Sequence, residues 1–362
     1  MPEDRSQKTE VRGQKTAVIS HQSSVISQQP AEETKDYGLK KDRGQMSEVR
    51  EAVDYGPWTV DYGLRRGVCE MAAQIIKGKE VAQQIRLELK EEVAKLKEKG
   101  IVPGLVTILV GEDPASQVYV KSKVKSCGEI GIESFNHVLP ADTSEEELLN
   151  LIEKLNKDPK VNGILTQLPL PKHIDTNKVL LAIDPAKDVD GFHPINIGKL
   201  NAKKKRKEID QEGMFLPCTP NGVIELLKRT GVKLRGAETV IVGRSNIVGK
   251  PVAMLLLAED ATVTICHTGT KDLGEVTRRA DVLIAAVGRP KMITADMVKE
   301  GVVVIDVGVN RTPEGLCGDV DFEAVKEKAK AITPVPGGVG PMTITMLLVN
   351  TVKSAKVAAG LI

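Results

Sequence analysis

The 362-residue sequence predicts an α/β protein of two domains, each built on a sheet of parallel strands. Short apolar runs of strand length alternate with amphipathic helical stretches from about residue 76 onward, which is the pattern of parallel sheets covered by helices. Hydrophobic residues make up 41% of the chain, so a sizeable core can form. The second domain has the doubly wound, Rossmann-like pattern, and a final apolar helix is long enough to return to the first domain.

Composition excludes several classes of function. The 51 Lys and Arg residues are balanced by 49 Asp and Glu residues, and only 2% of the chain is aromatic. Neither a broad basic field nor a base-stacking surface is therefore available for nucleic acid. No apolar run reaches the ~18 residues of a membrane-spanning helix. We expect a soluble, cytoplasmic protein that binds neither nucleic acid nor membranes.

The cysteines are odd in number, lie far apart and form no CxxC pair: Cys69, Cys127, Cys218, Cys266 and Cys317. This usage indicates reduced thiols in a cytosol-like compartment. The histidines at 173, 193 and 267 never approach a metal-ligand spacing, so we expect no metal site.

Residues 1–70 differ from the rest of the chain. Gln, Ser, Lys and Glu dominate there, apolar periodicity is absent, and Asp-Tyr-Gly recurs three times. We expect disorder in this stretch, since it cannot bury enough apolar surface. It resembles neither a secretory signal nor a transit peptide. A dispensable extension, or a start codon placed upstream of Met71, is the simplest interpretation.

The first predicted domain spans 71–217. A helix with one apolar stripe is predicted to end at Gly100. A strand is predicted over 105–110, and a further short run typical of a strand covers 161–166. Between them, Ser116 is expected to cap a helix that carries Tyr119 and Lys123 on one face. Another helix begins at Thr143 or Ser144, where Glu146 or Glu147 completes a capping box, and it ends at Asp158 and Pro159. The stripe of the first helix consists of Val81, Ile85, Leu89, Val93 and Leu96.

The second predicted domain spans 218–340. Thr219 is expected to cap a helix with Pro220 in its first turn, and the predicted strands are 239–242, 262–265, 282–287 and 302–307. The final helix is predicted over 343–358, and residues 341–362 are assigned to the first domain. Between the domains, residues 203–207 are five consecutive cations, which we interpret as a solvated loop in preference to a nuclear import signal.

Residues 243–249, Gly-Arg-Ser-Asn-Ile-Val-Gly, follow an apolar strand and precede a helix predicted over 251–257. That context lets backbone N–H groups meet a pyrophosphate, although Ser245 replaces the middle glycine, and an ordinary tight turn would look similar. The next strand ends Cys-His-Thr at 266–268, without the carboxylate that binds ribose hydroxyls in NAD sites. Arg244, Ser245 and Thr268 suit a phosphate better, so NADP is favoured over NAD.

Candidate reactive groups in the first domain are Tyr119, Lys123, Gln167, Asp188 and Asp190. Each alone is more often structural, and Lys123 alone is typically a surface lysine. The functional interpretation needs them to converge in one cleft, where burial could move the pKa of a lysine toward neutrality. The Gly- and Pro-rich stretch 336–343 opens a helix and could bind a carbonyl, carboxylate or phosphate, or serve as a hinge between domains.

These motifs resemble one family. Residues 147–170, including Thr166-Gln167-Leu168-Pro169, and residues 336–344 look like the bifunctional methylenetetrahydrofolate dehydrogenase and methenyltetrahydrofolate cyclohydrolase family. Residues 116–123, 187–192, 217–220 and 243–251 extend the resemblance from about residue 76 to the C-terminus. The resemblance implies a folate-binding catalytic domain, an NADP-binding domain and a homodimer formed mainly through the NADP-binding domains.

The resemblance also implies roles for particular residues. The catalytic lysine falls on Lys123, its helper glutamine on Gln167, the folate-binding aspartate on Asp190 and the ring-stacking tyrosine on Tyr119. Pro336, Gly337 and Gly338 would contact substrate. The implied cofactor-binding residues are Gly243, Arg244, Ser245, Gly249, Thr268 and Val309.

The activity implied is oxidation of 5,10-methylenetetrahydrofolate with NADP+ and hydrolysis of the methenyl product to 10-formyltetrahydrofolate, in one-carbon metabolism and purine biosynthesis. Two alternatives stay open. A monofunctional, NAD-linked dehydrogenase of the same fold need not keep both Lys123 and Gln167. A non-catalytic folate- or nucleotide-binding protein could use the first 70 residues or the basic run as a docking element.

Overall fold

The computed structural model describes residues 73–362. The disorder predicted for residues 1–70 lies outside the described residues. Two parallel sheets organise the described part of the chain, and helices lie between their strands in sequence. The α/β class with two sheet-based lobes is therefore confirmed.

The first lobe is built on a three-stranded parallel sheet of order β3-β2-β4, with strands Glu133–Leu139, Gly104–Val110 and Gly163–Thr166 respectively. Every residue of β2 and β4 is buried, whereas β3 is an edge strand with alternating exposure. The strand predicted at 105–110 is confirmed within one residue, whereas the one predicted at 161–166 begins two residues later, at Gly163. Strand β3 was missed because its apolar residues are few. The helices of this lobe are α1 Gly78–Glu98, α2 Pro114–Ile130, α3 Glu145–Lys157 and α4 Thr176–Ala182.

The second lobe contains a six-stranded sheet of order β1-β11-β8-β7-β5-β6, in which all neighbours run parallel. Strand β1, the first in the part of the chain that the structure describes, therefore lies at the edge of this second sheet. The strands are β1 Gln74–Ile75, β5 Glu238–Val242, β6 Thr262–Cys266, β7 Val282–Ala285, β8 Val303–Asp306 and β11 Ala331–Ile332. A short antiparallel hairpin joins β9 Asn310–Thr312 to β10 Gly315–Cys317.

The remaining helices connect or cover these strands. They are α5 Pro194–Asn201, α6 Arg206–Gln211, α7 Cys218–Arg229, α8 Gly249–Ala258, α9 Leu273–Thr277, α10 Phe322–Lys326 and α11 Val339–Ala358, with a 3₁₀ turn at Ala295–Met297. No helix in residues 73–362 is both long and apolar enough to cross a membrane.

The final helix α11 packs against α1 and α7 and touches β2 and β4 of the first lobe. Its buried Asn350 donates from Nδ2 to the carbonyl oxygens of Val189 and Leu216, both at 2.8 Å. Ser354 donates to the carbonyl of Asn162 at 2.6 Å. The helix begins four residues before the predicted Thr343, so Gly340 and Pro341 lie in its first turn.

Two predicted helix caps are wrong. The cap of α2 is Asp113, whose carboxylate accepts from the Ser116 amide at 2.7 Å, and Pro114 fills the first turn. Ser116 therefore lies inside the helix, because an Asp-Pro pair is the stronger start signal. Helix α7 begins at Cys218 after Pro217, without a side-chain cap. The hydroxyl of Thr219 instead hydrogen-bonds that of Thr343 at 2.8 Å.

The cap of α3 resolves an alternative left open by the sequence. Ser144 and Glu147 form the complete capping box, whereas Thr143 donates its hydroxyl proton to the carbonyl of Pro140. The sequence predicts an inner stripe of Leu148, Leu151, Ile152 and Leu155 for this helix, and it is confirmed: Leu151 is half-buried and the other three are buried. A capping box depends only on residues three apart, which is why it can be read from sequence.

The basic run at 203–207 is not a simple solvated loop. Its last two residues open helix α6, and Arg206 keeps only 14% of its side chain exposed. Arg206 pairs with Asp210 and Glu225 and donates to Asn221 at 3.1 Å. Lys205 pairs with Asp260 at the end of α8. Part of this run therefore anchors the connector to the second lobe.

Candidate functional site

A lysine and a glutamine from two elements of the first lobe meet beside its sheet. Lys123 lies in the middle of α2, and Gln167 directly follows β4. The Lys123 Nζ donates to Gln167 Oε1 at 3.0 Å, and Gln167 Nε2 donates to the carbonyl of Leu168 at 2.8 Å. The second bond fixes the carboxamide so that its oxygen faces the amine.

The lysine is partly buried, and its environment changes its proton affinity. Burial lowers the pKa of Lys123, because the neutral amine needs less solvation than the ammonium ion, while the charge of Asp190 opposes this shift. Lowering moves the amine toward the range in which it can both accept and donate a proton. The structure thus brings Lys123, Gln167 and Asp190 into one neighbourhood.

Burial also shifts the pKa of Asp190, but upward, because the charged form of a carboxyl group is the deprotonated one. Burial raises the pKa of its carboxyl to about 6, and the nearby ammonium of Lys123 works against that increase. Such a carboxylate can accept hydrogen bonds from a ligand's N–H groups when it is ionised. Protonation removes the charge and part of the acceptor capacity of this carboxyl group, so the ability of Asp190 to bind N–H groups falls at mildly acidic pH.

Asp188, the other aspartate of this segment, has a different part. It is 3% exposed and organises the turn that carries Asp190. Its oxygens accept from the backbone amides of Gly191, Phe192 and His193 and from the side chain of Asn196, at 2.8–3.2 Å. All this acceptor capacity is used within the protein, so Asp188 stabilises the loop and is not available to a ligand.

Two residues at this site were missed as candidates. The thiol of Cys218 lies beside Asp190 and donates to the Val189 carbonyl at 3.2 Å, and burial raises its pKa well above the usual value. Asn350 of α11 donates to that same carbonyl. A single asparagine inside the apolar stretch of α11 was the available signal, because a buried amide must find partners.

A separate cavity of about 420 Å³ lies between the lobes. Tyr119 lines it from α2, and residues that precede and open α11 line it from the opposite side. Tyr119 is 44% exposed and Val309 is 51% exposed. Five of the implied residues thus share this cavity, namely Tyr119, Val309, Pro336, Gly337 and Gly338. Lys123, one helical turn after Tyr119, and its partners Gln167 and Asp190 are not among the lining residues.

The loop before α11 is held close to α1. The amide of Lys79 donates to the Gly337 carbonyl at 3.1 Å. A Cβ added to Gly78 would lie 1.9 Å from the Gly338 carbonyl oxygen, so no side chain fits at residue 78. Gly337 has φ +103°, a conformation that favours glycine. The wall of the cavity formed by this loop is therefore set by backbone packing.

The strand-to-helix turn after β5 is equally tight. A Cβ on Gly243, which has φ +128°, would lie 2.1 Å from the Ala286 carbonyl oxygen, and one on Gly249 would lie 2.2 Å from the Gly243 carbonyl oxygen. Ser245 Oγ accepts from the amide of Val248 at 3.1 Å. This packing leaves the N-terminus of α8 at the carboxyl end of β5, where a phosphate can approach backbone N–H groups.

The neighbouring strand places a second polar group at the same edge. Val242 of β5 pairs with Cys266 of β6, so Arg244 and Thr268 each lie two residues beyond that pair. Both side chains are exposed, as is Ser245. An exposed guanidinium and two hydroxyls, without a carboxylate in residues 266–268, fit the extra phosphate of NADP.

Within residues 73–362, no group of three or more His, Cys, Asp or Glu side chains is arranged to hold a metal ion. Four of the five cysteines lie in this part of the chain, and all four are free thiols. Cys69 lies outside the described residues.

The structure has two lobes built on parallel sheets, with a cavity between them. The turn after β5, where Gly243 and Gly249 leave no room for a Cβ, lies at the carboxyl edge of the larger sheet. Together these features define the class of two-lobed, nicotinamide-nucleotide-dependent dehydrogenases. Comparison with known proteins is more specific. Residues 76–190 match the tetrahydrofolate dehydrogenase/cyclohydrolase catalytic domain, and residues 217–359 match the NAD(P)-binding domain of the same family. The chain belongs to the tetrahydrofolate dehydrogenase/cyclohydrolase family.

Individual relatives agree. The bifunctional protein FolD of Syntrophus aciditrophicus is 61% identical over 301 residues, covering 80% of this chain and all of that protein. The crystal structure of the bifunctional enzyme FolD from Campylobacter jejuni is 54% identical with a TM-score of 0.74, covering 79% of this chain and 99% of that one. The Trypanosoma brucei dehydrogenase-cyclohydrolase, solved with NADP and an inhibitor, is 40% identical with a TM-score of 0.74, covering 80% and 99%.

Proposed function

We propose that this protein is a bifunctional enzyme that oxidises 5,10-methylenetetrahydrofolate with NADP+ and then hydrolyses the methenyl product to 10-formyltetrahydrofolate. The observation that carries the proposal is the hydrogen-bonded pair of Lys123 and Gln167 beside Asp190, in a chain that matches both domains of the family. The substrates are tetrahydrofolate derivatives, and the cofactor is NADP.

Lys123 is proposed to manage protons in the hydrolytic step. Water adds to the methenyl carbon and must lose a proton, and a ring nitrogen must gain one before the ring opens. A partly buried amine with a lowered pKa can perform both transfers. Gln167 is a positioning residue, because its oxygen accepts from the amine and holds it in place.

The other contacts follow from the same placement. Asp190 is proposed to accept hydrogen bonds from the donor edge of the pterin, and Tyr119 to stack on the aminobenzoyl ring. Pro336, Gly337 and Gly338 would form the opposite wall. Tyr119, Pro336, Gly337 and Gly338 line the cavity between the lobes.

The cofactor residues proposed are Gly243, Arg244, Ser245, Gly249, Thr268 and Val309. The first five lie at the carboxyl edge of β5 and β6, and Val309 follows β8 and lines the cavity. NADP+, when bound, supplies the acceptor for the hydride that leaves the one-carbon bridge. The chain's own task is to hold the dinucleotide so that its nicotinamide end reaches the cavity.

We further propose the domain limits 71–217 with 341–362 for the folate domain and 218–340 for the NADP domain, with the exception of strand β1 at 74–75, which pairs with β11 in the sheet of the second lobe. A cytoplasmic location and a role in purine biosynthesis belong to the same proposal. A homodimer through the second lobe is supported by β6, which is an edge strand of the sheet formed by residues 73–362 and carries the 38% exposed Ile265. Light scattering on the purified protein measures the assembly directly.

One spectrophotometric experiment tests the proposed function. Purified protein is given methylenetetrahydrofolate with NADP+ or NAD+, and formation and decay of the methenyl product are followed. We expect formation with NADP+ and enzyme-dependent decay. Formation without faster decay would instead support a monofunctional dehydrogenase, an NAD+ preference would contradict the cofactor assignment, and no turnover would support a binding protein.

The raised pKa of Asp190 predicts a pH dependence of substrate binding. As the pH falls through about 6, the carboxylate gains a proton and loses acceptor capacity, so the KM for methylenetetrahydrofolate rises. Below that pH the increase should approach about tenfold per unit for one titrating group. Steady-state kinetics between pH 5 and 8 measure it. Asp190→Asn should raise KM and flatten the profile, whereas Asp142→Asn, at an exposed position, should leave both unchanged.

A further inference from the structure

We infer that Asp319 is a positioning residue for hydride transfer, because its buried carboxylate holds two loops at the carboxyl edge of the larger sheet. These loops are residues 287–289, which follow β7, and residues 307–310, which follow β8. The inference rests on the proposed function, since it concerns the step in which NADP+ accepts the hydride. It predicts that loss of this carboxylate impairs the dehydrogenase activity and spares the hydrolysis.

The first observation is the set of donors that meet at Asp319, which is 0% exposed. Its Oδ2 accepts from the amides of Val287 and Gly288 at 2.6 and 2.9 Å. Its Oδ1 accepts from the amide of Arg289 and from Nδ2 of Asn310, both at 2.9 Å. Three consecutive amides can converge on one carboxylate because Gly288 has φ +68°. Asp319 thus fixes the loops after β7 and β8 relative to each other.

A second buried carboxylate fixes the segment that carries Asp319. Asp306, the last residue of β8, accepts with Oδ1 from the amides of Gly308 and Asp319 at 2.9 and 3.0 Å. Its Oδ2 accepts from the amide of Val320 at 2.9 Å. A Cβ on Gly308 would lie 2.2 Å from Asp319 Oδ1, and one on Gly318 would lie 1.8 Å from Asp306 Oδ2. Both carboxylates therefore lie directly against backbone, which leaves these loops little freedom to shift.

The backbone held in this way forms a wall of the cavity between the lobes. Residues 306–309 line that cavity. Val309 lies between Gly308 and Asn310, and both neighbours are hydrogen-bonded to the two carboxylates described above. The 51% exposed side chain of Val309 can contact a ligand while its backbone is held on both sides. The proposed function brings the nicotinamide to this wall, so Asp319 sets its distance from the one-carbon bridge.

The groups proposed for hydrolysis are held by different contacts. Lys123 and Gln167 belong to the first lobe, where the amine donates to the carboxamide and the carboxamide donates to the carbonyl of Leu168. A shift of the second-lobe loops therefore moves the hydride acceptor without moving this pair. A displacement of about 1 Å at a reacting group can lower a rate by roughly 100-fold.

The test is Asp319→Asn in the full chain. Asparagine keeps the shape of aspartate, but its NH₂ group would face N–H donors where a carboxylate oxygen now accepts two hydrogen bonds. We expect kcat for NADPH formation to fall by roughly 10- to 100-fold. The KM for NADP+ should change by less than about threefold, because the proposed phosphate contacts lie at β5 and β6. Hydrolysis of added methenyltetrahydrofolate, measured without cofactor, should stay within about twofold of wild type.

The matched control is Asp281→Asn. Asp281 is an exposed carboxylate directly before β7, where it accepts from the amide of Glu238 at 2.8 Å and pairs with Lys299 at 2.6 Å. Its replacement also removes hydrogen bonds within the second lobe, but at the amino edge of the sheet. It should lower the unfolding temperature and leave both activities unchanged. A loss of NADPH formation as large as that in Asp319→Asn would show that any weakening of this lobe is sufficient, and would overturn the inference.

Two milder variants test the same contact if Asp319→Asn does not fold. Asn310→Ala removes one of the four donors, so kcat for NADPH formation should fall by roughly two- to tenfold. Asn310→Asp places a second carboxylate against Asp319 and should lower kcat further. Unchanged kcat in Asn310→Asp, or an equal loss of both activities in any Asp319 or Asn310 variant, would contradict the inference. A wild-type protein that forms no NADPH would instead reject the proposed function, which keeps the two failures distinct.

Discussion

Replacing Lys123 with methionine should lower cyclohydrolase turnover by roughly 10²- to 10⁴-fold, the usual contribution of a positioned acid-base group. Methionine keeps an unbranched side chain of similar length in the partly buried site but cannot carry a proton. Without the amine, Gln167 Oε1 loses its donor at 3.0 Å, so the carboxamide no longer has a group to orient. Decay of added methenyltetrahydrofolate, measured without cofactor, isolates the hydrolytic step.

The matched control is Lys121→Met on the same helix. Lys121 is exposed, so its replacement should leave hydrolysis within twofold of wild type. Cyclohydrolase turnover that stays near the wild-type rate in Lys123→Met would remove Lys123 from the mechanism. A circular dichroism spectrum and unfolding midpoint close to wild type would show that the loss is chemical and does not come from misfolding.

Replacing Arg244 with alanine should weaken NADP+ far more than NAD+. A guanidinium bonded to a phosphate is worth about 1.5–3 kcal/mol, which corresponds to roughly 10- to 150-fold in KM for NADP+. NAD+ lacks the 2′-phosphate, so its KM should change by less than about threefold by the same reasoning. The ratio of the two KM values in the dehydrogenase assay is the measurement.

Arg235→Ala provides the comparison, because Arg235 is exposed and precedes β5, at the opposite end of the strand from Arg244. It should leave both KM values unchanged. An equal loss for NADP+ and NAD+ in Arg244→Ala would mean that Arg244 supports the turn in general. The argument from the missing carboxylate at 266–268 would then fail.

Structural features of this chain could be predicted where they depend on residues close together in the sequence. The capping box of α3 and the tight turn at Gly243 belong to this group, and both are present. The start of α2 was misplaced because Asp113 and Pro114 compete with Ser116 within the same few residues. Strand β3 was missed because an edge strand with alternating exposure has a weak apolar signal.

The residues alone make Lys123, Gln167 and Asp190 candidates, but only the resemblance of their motifs to a family assigns roles to them. From the residues alone, Lys123 would count as one of several surface lysines, and Gln167 is 44 residues away. Their contact arises because α2 crosses back over the sheet and β2 pairs in parallel with β4. The roles of Asp188 and Asn350 were not predictable, since one depends on a folded turn and the other on a carbonyl 161 residues distant.

The sequence by itself determined the α/β class, the places of most strands and helices, and the polar groups at the ends of β5 and β6, because periodicity, caps and turns are encoded by neighbouring residues. Only the tertiary structure decided which of two aspartates is free for a ligand, which amine is partly buried beside a carboxamide, and which residues line the cavity between the lobes. Burial and hydrogen bonding set proton affinity and availability, and both depend on packing between residues far apart in the chain.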